Sequence, residues 1–162
     1  MRALVTYGSK RGGTEGLAQM VGAGLREQGM QADVRAPRQV SGLDGYDVVV
    51  VGGALYAFRW HRAARRFVSK HAAGLRQRQV WFFSSGPLDD SAARTDIPPV
   101  KGVLALMNSV GARGHATFGG RLAPDAKGFP ASAMAKKNAG DWRDAEQVGE
   151  WTRKVAAELG AG

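Results

Sequence analysis

The sequence predicts an α/β fold in which a parallel β-sheet is covered by helices on both faces. Stretches with strand character alternate with stretches of helical periodicity along the 162 residues, which is typical of doubly wound sheets. Residues 47–52 add a β-branched run, Asp-Val-Val-Val-Val-Gly, as expected for a central parallel strand buried on both faces. The length suffices for one domain with a full core and is too short for two, so residues 1–162 are predicted to form a single domain.

The individual strands and helices follow from this alternation. Strands are predicted at residues 2–7, 31–35, 47–52, 80–84 and 115–118. Helices are predicted over residues 14–28, 60–75 and 100–110, and a last helix begins at Asp144, which can cap it with Gln147 three residues later. One face of the first helix carries Leu17, Met20, Val21 and Leu25, and the third helix is apolar at helical spacing through Val103, Leu104, Met107 and Val110. In the last helix the predicted buried stripe is Val148, Trp151, Val155 and Leu159.

The composition limits the chemistry and the location. The chain contains no cysteine, so disulfides, thiolate metal sites and cysteine nucleophiles are excluded, and any redox chemistry must come from a bound cofactor. No apolar run reaches the roughly 18 residues of a membrane span, and the N-terminus enters a strand directly, which predicts a cytoplasmic protein. The net charge of +9 favours anionic partners, namely acidic proteins, lipid headgroups or carboxylated substrates. No motif of a nucleic-acid-binding domain is present, so nucleic acid is not the expected partner.

The loop after the first predicted strand has the composition of a phosphate-binding loop. Residues 7–15 read Tyr-Gly-Ser-Lys-Arg-Gly-Gly-Thr-Glu and stand before a helix, whose N-terminal N–H groups attract anions. The glycine spacing matches neither the G-x-G-x-x-G pyrophosphate fingerprint nor a Walker loop. The loop is therefore predicted to bind a terminal monophosphate, and a polar turn that binds nothing is the alternative.

Residues 8–14 resemble the loop by which flavodoxins bind the phosphate of FMN. The resemblance implies FMN as the cofactor and a flavodoxin-like, five-stranded sheet of strand order 2-1-3-4-5. The residues expected to bind the phosphate are Ser9, Lys10, Arg11, Gly12, Gly13 and Thr14. A response-regulator receiver domain shares this architecture but needs an Asp at the end of the third strand, where this chain has Gly52 and Gly53.

Two further loops are expected at the same edge of the sheet, where they can contact an isoalloxazine ring. The ring needs flat apolar walls and a few backbone groups at its polar edge. The residues expected to supply them are Ala54, Leu55, Tyr56 and Ala57 after the third strand, and Ser84, Ser85, Gly86, Pro87 and Leu88 after the fourth. For the aromatic residues Tyr56, Phe58 and Trp60, ordinary packing over the strand ends is the alternative.

A wider resemblance points to one branch of the flavodoxin superfamily. Residues 53–56, His61, and residues 67–71, 118–122 and 141–148 are similar to parts of menaquinone-dependent protoporphyrinogen dehydrogenases. This likeness implies a quinone-linked oxidoreductase, and it adds Gly119 and Gly120 to the expected cofactor-binding residues. Residues 122–141 depart from the branch because they lack the longer aromatic and basic insertion of its porphyrin-oxidising members, so a porphyrin substrate is not fixed.

These features predict an FMN-binding oxidoreductase that exchanges electrons with a quinone or a porphyrin-like anionic substrate. The alternative is an electron carrier that docks to an acidic redox protein and has no substrate of its own; a third reading is an interaction domain with an empty crevice. A basic helix, with Arg59, Arg62, Arg65, Arg66 and Lys70, is either the docking surface for the anionic partner or a solvated face. Peripheral contact of the protein with a membrane is a further alternative. The histidines His61, His71 and His115 are too scattered for a metal site, and no catalytic side chain is predicted.

Overall fold

The structure, a computed structural model, describes residues 1–9, 13–86, 91–94, 96–122, 140–141 and 143–161. Its elements in chain order are β1 (Arg2–Gly8), α1 (Gly13–Glu27), β2 (Gln31–Arg35), a 3₁₀ turn (Pro37–Gln39), β3 (Val48–Tyr56), β4 (Arg59–Trp60), α2 (Arg62–Lys70), α3 (Ala72–Arg76), β5 (Gln79–Ser85), α4 (Ser91–Arg94), α5 (Lys101–Val110), β6 (Gly114–Phe118), β7 (Arg121–Leu122), β8 (Gly140–Asp141) and α6 (Ala145–Ala161). None of the described helices combines the length and the apolar composition needed to cross a bilayer.

The main sheet is parallel and has the order β2-β1-β3-β5-β6. The predicted doubly wound sheet is thus confirmed. The sheet differs from the predicted one because it also includes β4, a short strand. This strand pairs antiparallel with the end of β3, where Leu55 lies opposite Trp60. A separate antiparallel pair joins β7 to β8, with Arg121 opposite Asp141.

The core consists of two layers, one on each face of this sheet. On one face, apolar side chains of β1, β3, β5 and β6 pack against α1 and α6. On the other face, side chains of β1, β3 and β5 pack against α2, α3 and α5. The run Val48–Val51 alternates between the layers, and all of its side chains are fully buried. A strand covered on both sides explains the continuous β-branched run.

The last helix begins as predicted. The Asp144 side chain accepts hydrogen bonds from the backbone N–H groups of Glu146 and Gln147, at 3.0 and 3.3 Å. The Gln147 amide does not complete a capping box; it donates instead to the carbonyl oxygens of Ala92 and Thr117. Gln147 therefore ties α6 to the edge strand β6, in addition to the apolar contacts of the helix.

Two predictions about the extent of elements were wrong. The predicted helix over residues 60–75 is instead β4, α2 and α3, with His71 between the two helices. The third strand continues to Tyr56, because the chain turns back in a hairpin where a loop was expected. Of the apolar positions at helical spacing in α5, Val103 and Val110 are buried and Leu104 is 45% exposed. The other predicted boundaries agree with the described ones within one residue. The predicted excursion over residues 122–141 lies outside the described residues except at its two ends.

Candidate functional site

The predicted cofactor loops meet at the carboxyl edge of the sheet. The register pairs Gly8 with Gly53 and Ala54 with Ser85, so β1, β3 and β5 end side by side. A Cβ added to Gly86 would lie 3.1 Å from the Leu55 side chain, so the loops after β3 and β5 are in contact. Of the predicted residues, this edge brings together Ser9, Gly13, Thr14, Ala54, Leu55, Tyr56, Ala57, Ser84, Ser85 and Gly86, with Gly119 and Gly120 after β6. Lys10, Arg11, Gly12, Pro87 and Leu88 lie outside the described residues.

The N-terminus of α1 fits the phosphate. Its first residue is Gly13, and the N–H groups of the first helical turn have no acceptor within the helix. Thr14, the second residue of the helix, is 1% exposed. An anion bound at this helix end would accept hydrogen bonds from these N–H groups.

The charges beside this helix end are arranged around Tyr7, the residue before Gly8. Burial and a hydrogen bond with Glu15 raise the pKa of the Tyr7 phenol, and Arg38 acts weakly in the opposite direction. Glu15, in the first turn of α1, is therefore close to the Tyr7 hydroxyl, and the charge of Arg38 acts at the same end of β1. Sequence reasoning missed Arg38, although its place directly after β2 puts it at the carboxyl edge.

The hairpin between β3 and β4 presents two aromatic residues to solvent. Ala57 and Phe58 both have positive φ, 48° and 64°, as in the two-residue type I′ turn. Phe58 is 86% exposed and Tyr56 is 37% exposed, and the Tyr56 ring contacts the His61 ring edge-on at 5.9 Å between centroids. Tyr56 is thus placed where a flat ring at the sheet edge could stack on it.

Trp60, in contrast, belongs to the core. It is 2% exposed and packs against Phe82 at 4.8 Å between ring centroids. A Cβ on Gly53 would collide with its indole ring, so only glycine fits there. The packing alternative therefore holds for Trp60, and the idea that it forms a wall of the flavin site was wrong.

A chain of polar side chains crosses β5, from Trp60 of β4 through Ser84 of β5 to His115 of the neighbouring strand β6. The Trp60 indole donates to the Ser84 hydroxyl at 3.1 Å, and that hydroxyl lies 2.8 Å from Nε2 of His115. Burial lowers the pKa of His115 to about 4, so its ring is neutral at pH 7. The Ser84 hydroxyl is therefore engaged within the protein, and a contact of Ser84 with the cofactor stays a prediction for its backbone.

The basic residues after β3 occupy two different surfaces. Arg62 and Arg66 line a cleft against the 3₁₀ turn, together with Lys70. Arg59 and Arg65 line a groove on the other side, beside Phe58 and α5. Arg65 also donates to the carbonyl oxygen of Trp60 at 3.1 Å, which holds the end of the hairpin. The single docking surface predicted from the sequence is thus divided into two.

The fold and the glycine- and hydroxyl-rich helix end agree with the comparison to known protein families. The sequence matches the flavodoxin domain family over residues 4–136. The chain belongs to this family. Membership implies FMN as the cofactor, and the helix end at Gly13 with the buried Thr14 hydroxyl fits its phosphate. When bound, FMN supplies the capacity to accept and donate electrons, which the side chains of this protein lack.

Individual relatives support the same assignment. The protoporphyrinogen IX dehydrogenase [quinone] of Escherichia coli K12 is 31% identical over 86 residues, which are 52% of this chain and 48% of that protein. The enzyme of the same name from Escherichia coli O157:H7 gives the same values. The matched region spans about half the length of these curated relatives.

Solved flavodoxin structures share the fold. The Streptococcus pneumoniae flavodoxin superposes with a TM-score of 0.63 at 18% identity, covering 98% of this chain and 99% of that chain. Flavodoxin 2 of Bacillus cereus gives 0.62 at 17% identity, with coverage of 98% and 99%. Rubredoxin oxygen:oxidoreductase of Desulfovibrio gigas gives 0.66 at 13% identity over 99% of this chain and 36% of that chain. The flavodoxin fold thus extends over nearly the whole chain.

Proposed function

We propose that this protein is an FMN-dependent oxidoreductase that passes electrons from an anionic, apolar donor to a quinone. The observation that carries the proposal is the cationic, partly aromatic border of the flavin edge. Arg62 and Arg66 lie on one side of the β3–β4 hairpin, and Arg59 lies with exposed Phe58 on the other. Such a border attracts anions and offers an apolar contact. The partial match to dehydrogenases whose name includes a quinone supports the same class.

In this reading the protein binds and positions, while the cofactor carries the electrons. Tyr56 would lie against the flavin ring, and the hairpin held by the hydrogen bond of Arg65 to Trp60 would keep Tyr56 in place. Two electrons and two protons leave the donor, and the quinone that receives them becomes a quinol. The residues of the edge exclude water from the contact and orient both partners.

The test compares the protein with free FMN. Protein loaded with FMN is reduced photochemically without oxygen and mixed with menadione in a stopped-flow instrument, and flavin absorbance reports reoxidation. We expect stoichiometric oxidation faster than that of free reduced FMN. Multiple turnover is then followed with protoporphyrinogen IX as donor, through the fluorescence of the porphyrin that forms.

The outcomes separate the substrate from the carrier function. Menadione reduction no faster than with free FMN contradicts the quinone assignment. Quinone reduction without porphyrin formation contradicts a porphyrin-like donor. An electron carrier that docks to an acidic protein is the second candidate, because Arg59, Arg62 and Arg66 are on the surface. It would show electron transfer to such a protein that slows with added salt and with Arg62→Glu and Arg66→Glu, without turnover of either small molecule.

A further inference from the structure

A cleft between α2 and the 3₁₀ turn, which we call the cationic cleft, borders the flavin edge but is not lined by any of the residues predicted to bind FMN. It has a volume of about 450 Å³, which lies within the range of small-molecule sites. Arg62, Arg66 and Lys70 line it from α2, and Arg38 lines it from the 3₁₀ turn. The lining residues that the structure describes include no Asp or Glu. The cleft is therefore a concentration of positive charge in a concave surface.

The spacing of these cations places like charges next to one another along α2. Arg62, Arg66 and Lys70 follow one another at four-residue spacing, so they share one side of α2, where like charges repel. No ion pair in the described part of the chain involves any of the three or Arg38. A bound anion would relieve the repulsion along α2 and across to the 3₁₀ turn.

The inner wall of the cationic cleft is apolar and aromatic. Phe67 lines the cleft but is almost completely buried, and the half-buried ring of His71 lies against it at 4.6 Å between centroids, so His71 presents this wall to the cleft. Burial, together with the charge of Lys70, lowers the pKa of His71, so this ring is neutral at pH 7 and adds to the apolar wall. Pro37 closes the opposite side. The cleft thus combines a flat apolar wall with cations at its rim.

The cleft also adjoins the flavin edge. His61 lines it, caps α2 by accepting from the N–H of Ala63, and contacts Tyr56 of the hairpin. At the other end, the charge of Arg38 acts on Tyr7 at the end of β1. A ligand in the cleft would therefore lie beside the residues that border the cofactor.

We propose that the cationic cleft binds a flat, apolar-bodied ligand that carries carboxylates, with Arg66 and Lys70 as its anion-binding side chains. Arginine can pair with a carboxylate through two parallel hydrogen bonds, and lysine adds a point charge. The role of this ligand as the electron donor rests on the proposed function. Its binding to the cleft does not, because it depends only on charge and shape.

The experiment measures binding by isothermal titration calorimetry with FMN-loaded protein and naphthalene-2,6-dicarboxylate as the probe. Two reference probes separate the contributions: 2-naphthylmethanol has the apolar body without charge, and succinate has the charges without the body. We expect saturable binding of the dicarboxylate at one site, and at least tenfold weaker binding of both reference compounds.

Two double variants with the same change in net charge locate the site. Arg66→Gln with Lys70→Gln removes two cations from the cleft, and Lys101→Gln with Arg153→Gln removes two exposed cations elsewhere. We expect the first pair to weaken dicarboxylate binding about tenfold or more and to reduce its salt dependence, and the second pair to change affinity by less than twofold. Circular dichroism and flavin content verify that the variants fold, since all four side chains are exposed.

The results decide the proposal in either direction. No binding of the dicarboxylate, equal binding of 2-naphthylmethanol, or equal losses in both double variants would overturn it. Calorimetry does not involve turnover, so a failure here leaves the quinone experiment intact. Conversely, a protein that binds the dicarboxylate in the cleft but does not reduce menadione would refute the proposed function alone.

Discussion

Replacing Thr14 by valine tests whether the N-terminus of α1 binds the FMN phosphate. Valine has the same branched shape, so the change removes little more than a hydroxyl from a residue that is 1% exposed. A hydrogen bond to a charged group contributes about 1.5–3 kcal/mol. Loss of one such bond to a phosphate should therefore weaken FMN binding by roughly 10- to 150-fold. Riboflavin, which has no phosphate, should bind the variant as it binds the wild type.

The same substitution should affect the flavin-free protein much less. Because valine keeps the branched shape of this buried side chain, the free energy of unfolding should change by less than about 1 kcal/mol. Thr152→Val is the matched control, since that buried hydroxyl donates to the carbonyl oxygen of Gly149 at 2.9 Å. It should lower stability by about 1 kcal/mol and leave FMN affinity alone. Fluorescence titrations with both flavins and urea unfolding measure these quantities; equal losses for FMN and riboflavin in Thr14→Val would refute the placement of the phosphate.

Two further predictions concern stability. Burial lowers the pKa of His115 from 6.5 to about 4, so the unfolded chain binds a proton that the folded protein does not, and stability falls as the pH drops from 6.5 towards 4. Between pH 7.5 and 4.5 the wild type should lose about 2.5 kcal/mol more than His115→Gln in urea unfolding; parallel pH profiles would contradict this. In the hairpin, Ala57→Asn with Phe58→Gly supplies the residues that a type I′ turn favours, and Phe58 is too exposed to lose packing. The double variant should gain about 1 kcal/mol in thermal unfolding, and a loss of stability would show that the positive φ values of 48° and 64° carry no strain.

Sequence patterns predicted most of the fold because its elements are locally consistent. The valine run Val48–Val51 predicts a strand covered on both faces, and the Asp144 cap predicts the start of α6; both depend on residues adjacent in sequence. The β3–β4 hairpin was missed for the converse reason. A two-residue turn is normally indicated by Asn-Gly or a related pair, whereas this turn is Ala57-Phe58. Here the core position of Trp60, fixed by Ser84 and Phe82, determines the turn from a distance.

The same difference between local and long-range information applies to the candidate site. The phosphate loop could be predicted because its hydroxyls, glycines and helix start are consecutive, and the structure gives Thr14 the burial that such a role requires. The cationic cleft could not be predicted, because it needs Arg38 from the segment after β2 beside Arg66 on α2. Those residues meet only through the sheet order β2-β1-β3. The charges along α2 do not indicate which other segment of the chain lies beside them.

The helix α2 connects the cationic cleft, which its exposed side lines, with the phosphate loop, which its buried side approaches. Each like-charged pair at four-residue spacing destabilises a helix by about 0.2–0.5 kcal/mol, and Arg62, Arg66 and Lys70 form two such pairs. The described residues provide no carboxylate in the cleft that would offset this cost. Yet α2 also packs Ala64, Phe67 and Val68 into the core, and the Ala64 backbone approaches Gly8 at the end of β1. An anion that binds the exposed side of α2 would therefore stabilise the helix whose buried side abuts the phosphate loop, so occupancy of the cationic cleft and binding of FMN should favour each other.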